Sequence, residues 1–219
     1  MAVITDIATT SDSRPTVLIL PGWRGSGPGH WQTEWQRARP ELRRVEQASW
    51  SEPVLGDWAE ELEKAVRAAP SPVLIVAHSL ACALVAHWAR AGSVARVAGA
   101  LLVAPADVDD PSLGTPRSFS PMPLERLPFP TWVVGSRNDP YATFARAGRF
   151  AEAWGGQLLD AGKSGHVNVA SGHGPWPRGA TLLAALELEL ARRIGRRRAE
   201  DAVHSPREAA PKAANGGGR

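Results

Sequence analysis

Ser79, Asp139 and His166 are residue types that, in this chain order, can attack a carbonyl carbon. Serine alone is a poor nucleophile; it needs a base to take its proton, an acid to orient that base, and donors for the oxyanion that develops. Ser79 lies in Ala77-His78-Ser79-Leu80-Ala81, after the apolar run 72–76 and before a helical pattern at 80–91. A serine on a small-residue turn between strand and helix forms a nucleophile elbow, usually written G-x-S-x-G, with the hydroxyl lifted clear of the sheet edge. Here alanine fills both small positions.

The acid candidate is Asp139, in Ser136-Arg137-Asn138-Asp139-Pro140 just past an apolar run at 131–135. An aspartate before proline is equally a routine helix cap, and Asp107, Asp109 and Asp110, after the preceding run, are rival acids. The base candidate is His166, in Ser164-Gly165-His166-Val167-Asn168, with His173 as close rival. A Gly-His step soon after the last strand favours His166. His78 adjoins the serine and is expected to point away from it, and His30 and His87 fall in helical patterns. An oxyanion hole needs two backbone N–H groups. Leu80, after the serine, supplies one; the other is expected from Trp23, in the glycine-rich stretch 21–29. That stretch lacks G-x-x-x-x-G-K-[ST] and any full dinucleotide fingerprint, so it is not read as a phosphate cradle. Trp31 closes the same stretch and is expected to line an acyl pocket. Cys82, on an apolar helical pattern, reads as core.

These residues need a scaffold that brings strand ends together. Apolar runs at 17–20, 73–77, 97–104, 131–135 and 157–161, with a weaker one at 44–48, predict strands. Helical patterns cover 30–39, 57–69, 80–91, 141–153 and 179–194, the last with Leu182, Leu183, Leu186 and Leu190 at helical spacing. Continuous apolar strands alternating with helices imply a mostly parallel six-stranded sheet covered on both faces. Ligands bind such sheets outside the carboxyl ends of the strands, where the motifs carrying Ser79, Asp139, His166 and Trp23 fall. The proline-rich stretch 105–128 reads as a functional loop too short to be a separate folded lid.

The 219 residues suit one domain, expected over 16–195, after a flexible lead-in at 1–15 and before a disordered basic tail at 196–219. The formal charge of +3 is a property of the end: 192–219 hold eight Lys/Arg and three Asp/Glu, leaving 1–191 at net −2. No nucleic-acid surface is expected on the body. A single cysteine excludes an internal disulfide framework, and no run approaches the roughly 20 apolar residues of a membrane span. The expectation is a cytoplasmic protein.

On these stretches the chain resembles the small serine hydrolases of the YdeN / retinoblastoma-binding-protein type, in the α/β-hydrolase superfamily. The resemblance covers about residues 16–192. It is carried by Leu20-Pro21-Gly22-Trp23 with Gly29-His30-Trp31, by the elbow, by Ser136-Arg137-Asn138-Asp139-Pro140, and by Gly165-His166-Val167-Asn168 with Gly172 and Gly174-Pro175-Trp176-Pro177. It implies a minimal three-layer α/β-hydrolase fold without a large lid, a triad at Ser79, Asp139 and His166, and hydrolysis of small acyl esters without metal or organic cofactor. The partner expected is a small-molecule acyl substrate. A hydrolase-like binding or regulatory module is the alternative. One mammalian relative is named for binding a tumour suppressor through L-x-C-x-E; here Leu80-Ala81-Cys82-Ala83-Leu84 ends in leucine, so that role does not transfer.

Overall fold

A computed structural model describes residues 14–204 of the chain. Six strands form one sheet in the order β2-β1-β3-β4-β5-β6, every neighbouring pair parallel. The strands are β1 (Thr16–Leu20), β2 (Arg43–Arg44), β3 (Val73–His78), β4 (Val97–Val103), β5 (Thr131–Gly135) and β6 (Gln157–Asp160). The helices are α1 (Trp31–Ala38), α2 (Leu55–Ala68), α3 (Leu80–Trp88), α4 (Phe144–Ala153) and α5 (Pro177–His204).

Strand side chains alternate between two cores. Leu18, Leu20, Ile75, Ala77, Leu102 and Val133 meet α2, α3 and α4 on one face. Val17, Ile19, Val76, Leu101, Val103 and Val134 meet α1 and α5 on the other. The sheet is thus the middle of three layers, as a parallel sheet must be if both apolar faces are to leave water. Helix α3 is buried on almost every side, the expected state of a helix apolar all round. Its depth fixes the residue before it, Ser79.

The expected elements are present with shifted ends. The weak strand at 44–48 shrinks to the two residues of β2. Helix α4 starts at Phe144 rather than 141, because Thr143 caps it, accepting from the Arg146 N–H at 3.1 Å. Helix α5 passes 194 and runs to His204, so 196–204, expected as disordered tail, are helical. The Arg, Ala and Glu residues there are good helix formers and outweigh the charge run that suggested a solvated end. Residues 1–13 of the expected lead-in and 205–219 of the tail lie outside the described residues.

The 105–128 stretch forms a fixed wall, not a lid. It holds two short 3-10 turns, Pro111–Leu113 and Arg117–Phe119, and Phe119 is fully buried edge-on to Trp58 at 5.7 Å. Asp109 ties the wall to itself, accepting from Ser120 Oγ at 3.0 Å and the Met122 N–H at 2.9 Å. Among the described residues no helix is long and apolar enough to cross a membrane.

Candidate active site

The turn after β3 is strained. Ser79 has φ 57° and ψ −122°, a conformation that costs a non-glycine residue about 1–3 kcal/mol and persists only where its surroundings enforce it. Its N–H donates to the Val103 carbonyl at 3.0 Å and its carbonyl accepts from Cys82 N–H at 3.0 Å, pinning the turn between β4 and α3. Ala77 and Ala81 are fully buried. Gly22 packs against this elbow so closely that a Cβ there would lie 2.8 Å from Ser79 Cβ and 3.4 Å from the Leu80 nitrogen. Only glycine lets the β1–α1 loop approach so near. Trp23 and Leu80 consequently line one cavity with Ser79, about 490 Å³ in volume, and their backbone amides enter none of the turn and loop hydrogen bonds of the described residues.

Ser79 Oγ donates to His166 Nε2 at 2.8 Å, and His166 Nδ1–H donates to Asp139 Oδ1 and Oδ2 at 2.9 and 3.0 Å. The His166 and Asp139 side chains are 7% and 3% exposed, so the hydrogen bonds between them are shielded from water. Asp139 also accepts from the Tyr141 N–H at 2.9 Å, and the Tyr141 ring lies 4.3 Å from the imidazole of His166. Asn138 joins the two loops: its Oδ1 accepts from the Gly165 N–H at 2.8 Å. Gly165 has φ 54°, and a Cβ there would come within 2.4 Å of Ser171 Cβ, which explains the Gly-His step. The arrangement can pass the Ser79 proton to His166 while Asp139 holds the ring.

Two further histidines surround His166. His78 is buried, and its Nε2–H donates to the His166 carbonyl at 2.9 Å. Its ring lies 4.9 Å from those of His30 and His166. His30 caps α1, its Nδ1 accepting from the Gln32 N–H at 3.2 Å. Burial, then the neighbouring Arg44 and His166, lowers the His30 pKa to about 4. Burial, followed by repulsion from His166 and His30, drives His78 well below the usual imidazole range. Both rings therefore stay neutral at pH 7. Burial pushes the Cys82 thiol up, leaving it an inert core group.

The rivals are engaged elsewhere. Asp107 and Asp109 accept from the Arg146 guanidinium at 2.8–3.0 Å, and Asp110 caps the first 3-10 turn. His173 Nδ1 bonds the Ser171 carbonyl of its own loop at 2.9 Å and faces a separate cavity of about 390 Å³. Trp31 does not line the Ser79 cavity as expected. It is fully buried, with its Nε1–H donating to the Val167 carbonyl at 2.8 Å and its ring 5.1 Å from Trp176. An eight-residue helix capped at His30 turns position 31 inward to the core. Sequence reasoning missed His78, Asn138 and Tyr141; the only signal for them was nearness in sequence to Ser79 and Asp139.

A three-layer fold with a strained serine after β3, ahead of a buried helix, is that of the α/β hydrolases. A family model described as serine hydrolase matches residues 17–185, and the chain belongs to that family. A YdeN-like hydrolase structure from Pectobacterium atrosepticum is 32% identical with TM-score 0.73, covering 81% of this chain and 92% of that one. The ydeN gene product of Bacillus subtilis is 18% identical with TM-score 0.65, covering 78% and 98%. Est1E from Butyrivibrio proteoclasticus is 12% identical with TM-score 0.63, covering 85% and 90%; these last two are likenesses of fold. No curated protein matches the chain.

Proposed function

We propose that this serine hydrolase is a carboxylesterase of small acyl esters. Ser79 attacks the ester carbonyl while His166 Nε2 takes its proton. Asp139 keeps His166 in the Nδ1–H tautomer and balances the imidazolium that forms. The Trp23 and Leu80 N–H groups stabilise the oxyanion. His166 then protonates the departing alkoxide, and water, deprotonated by the same imidazole, releases the acid from the acyl-enzyme. The reading rests on the 2.8 Å hydrogen bond from Ser79 Oγ to His166 Nε2, made at a serine whose strained backbone has no other evident use. A cavity of about 490 Å³ walled by the anchored 105–128 stretch favours short acyl chains.

The test combines a fluorophosphonate probe with 4-nitrophenyl esters of graded chain length. Labelling at Ser79 and a preference for short chains are expected, and Ser79→Ala should lower kcat by about 10⁴-fold or more, since triad members act as a unit. A folded protein that neither labels nor turns over any ester would instead be a binding module. Full activity in Ser79→Ala would exclude the mechanism.

A further inference from the structure

The cavity above Ser79 is charged in one sense. Among its lining residues there is no Asp or Glu, and one that carries a fixed positive charge, Arg24. Arg24 is the third residue of a tight turn closed by the Gly25 N–H on the Gly22 carbonyl at 2.9 Å, and its φ is 68°. Such a turn position favours glycine or asparagine, and glycine is abundant in this loop, at 22, 25, 27 and 29. An arginine there is carried at the expense of backbone strain, which points to a use for the side chain. The turn is held by the Arg24 N–H on the Trp50 carbonyl at 2.8 Å. The guanidinium lies 5.2 Å from the Trp23 ring centroid and makes no ion pair among the described residues.

We propose that the substrates carry a carboxylate close to the scissile carbonyl and that Arg24 selects them; this rests on the esterase reading above. Trp23, whose N–H is assigned to the oxyanion, directly precedes Arg24, so one rigid turn would present both the oxyanion donor and the carboxylate receptor. A guanidinium meets a carboxylate through two parallel hydrogen bonds, and the stacking on Trp23 limits the side-chain freedom lost on binding. Monoesters of short dicarboxylic acids, or acyl esters of small hydroxy acids, have this chemistry.

The experiment compares kcat/KM for two matched pairs. One pair places the charge on the acyl side, monophenyl glutarate against its terminal amide. The other places it on the leaving side, 4-acetoxybenzoate against 4-acetoxybenzamide. Each rate is divided by that ester's hydroxide-catalysed rate. The expected result is a preference of about tenfold or more for the acid in at least one pair, narrowing with added salt. In Arg24→Gln the acid-to-amide ratio should fall to about one, and Arg24→Lys should keep part of it. A ratio near one for both pairs, or a ratio unchanged in Arg24→Gln, overturns the role of Arg24 and leaves the esterase standing. Failure to turn over any of the four esters, with Ser79 unlabelled by the fluorophosphonate, overturns the esterase reading and this assignment together.

Discussion

The imidazole of His78 ends β3 one residue before the strained serine, yet its Nε2–H reaches the backbone carbonyl of His166 at 2.9 Å. It thereby ties the elbow to the loop that carries His166. Its neutrality matters, because a charged ring 4.9 Å from His166 would oppose any imidazolium there. Replacing His78 with leucine removes that anchor and leaves Ser79, His166 and Asp139 chemically intact. Kcat is expected to fall roughly 10- to 100-fold, the scale of small misplacement in an active site, with KM little changed and fluorophosphonate labelling slowed in parallel. An unaltered kcat in folded protein would show that the His166 carbonyl needs no such tether. Asn138 joins the Asp139 and His166 loops in the same way, through a single carbonyl oxygen that accepts from the Gly165 N–H.

Helix α1 and the 165–177 loop form a unit through tryptophans. Trp31 Nε1–H holds the Val167 carbonyl and Trp35 Nε1–H holds the Pro175 carbonyl, while Trp35 and Trp176 stack at 5.8 Å. Val167 needs holding: it is β-branched and has φ 48°, a conformation rare for such residues. Trp31→Phe keeps an aromatic ring in the core but leaves a buried carbonyl unpaired, at a cost of about 1–3 kcal/mol. Urea unfolding should register that loss, and kcat/KM should drop because His166 precedes Val167. Chain-length preference should not move. A shift in preferred acyl length would mean that Trp31 touches substrate, the role its position beside the glycine loop had suggested.

At the scale of the whole molecule, the buried imidazoles make stability depend on pH. The His30 pKa is about 4 in the folded protein against 6.5 for the free side chain. Between those values the unfolded chain binds a proton that the folded one does not, so stability falls as pH drops from 6.5 to 4 and is fully present above 6.5. The full shift corresponds to about 3 kcal/mol, and His78 acts in the same direction. His30→Asn retains a capping side chain for α1 and should flatten the decline, read as the urea midpoint at pH 7, 5.5 and 4. A decline as steep as in the unsubstituted protein would place the acid sensitivity elsewhere.

Element order, the parallel sheet and the elbow were legible in the sequence because they follow from short-range pattern. Apolar runs of five to seven residues such as those of β1, β3 and β4 must be buried on both faces, and a serine between such a strand and an apolar helix has one common geometry. Ser79, Asp139 and His166 were singled out from the sequence, and the structure brings them within hydrogen-bonding distance. The choice among four aspartates was not, since it depends on Arg146 claiming Asp107 and Asp109 from α4. Nor could the task of Trp31 or His78 be read, because each is defined by a backbone carbonyl 136 or 88 residues away. Local periodicity says which side of an element is buried. Which distant atom waits there is decided only when the loops close, by the demand that every buried donor and acceptor find a partner.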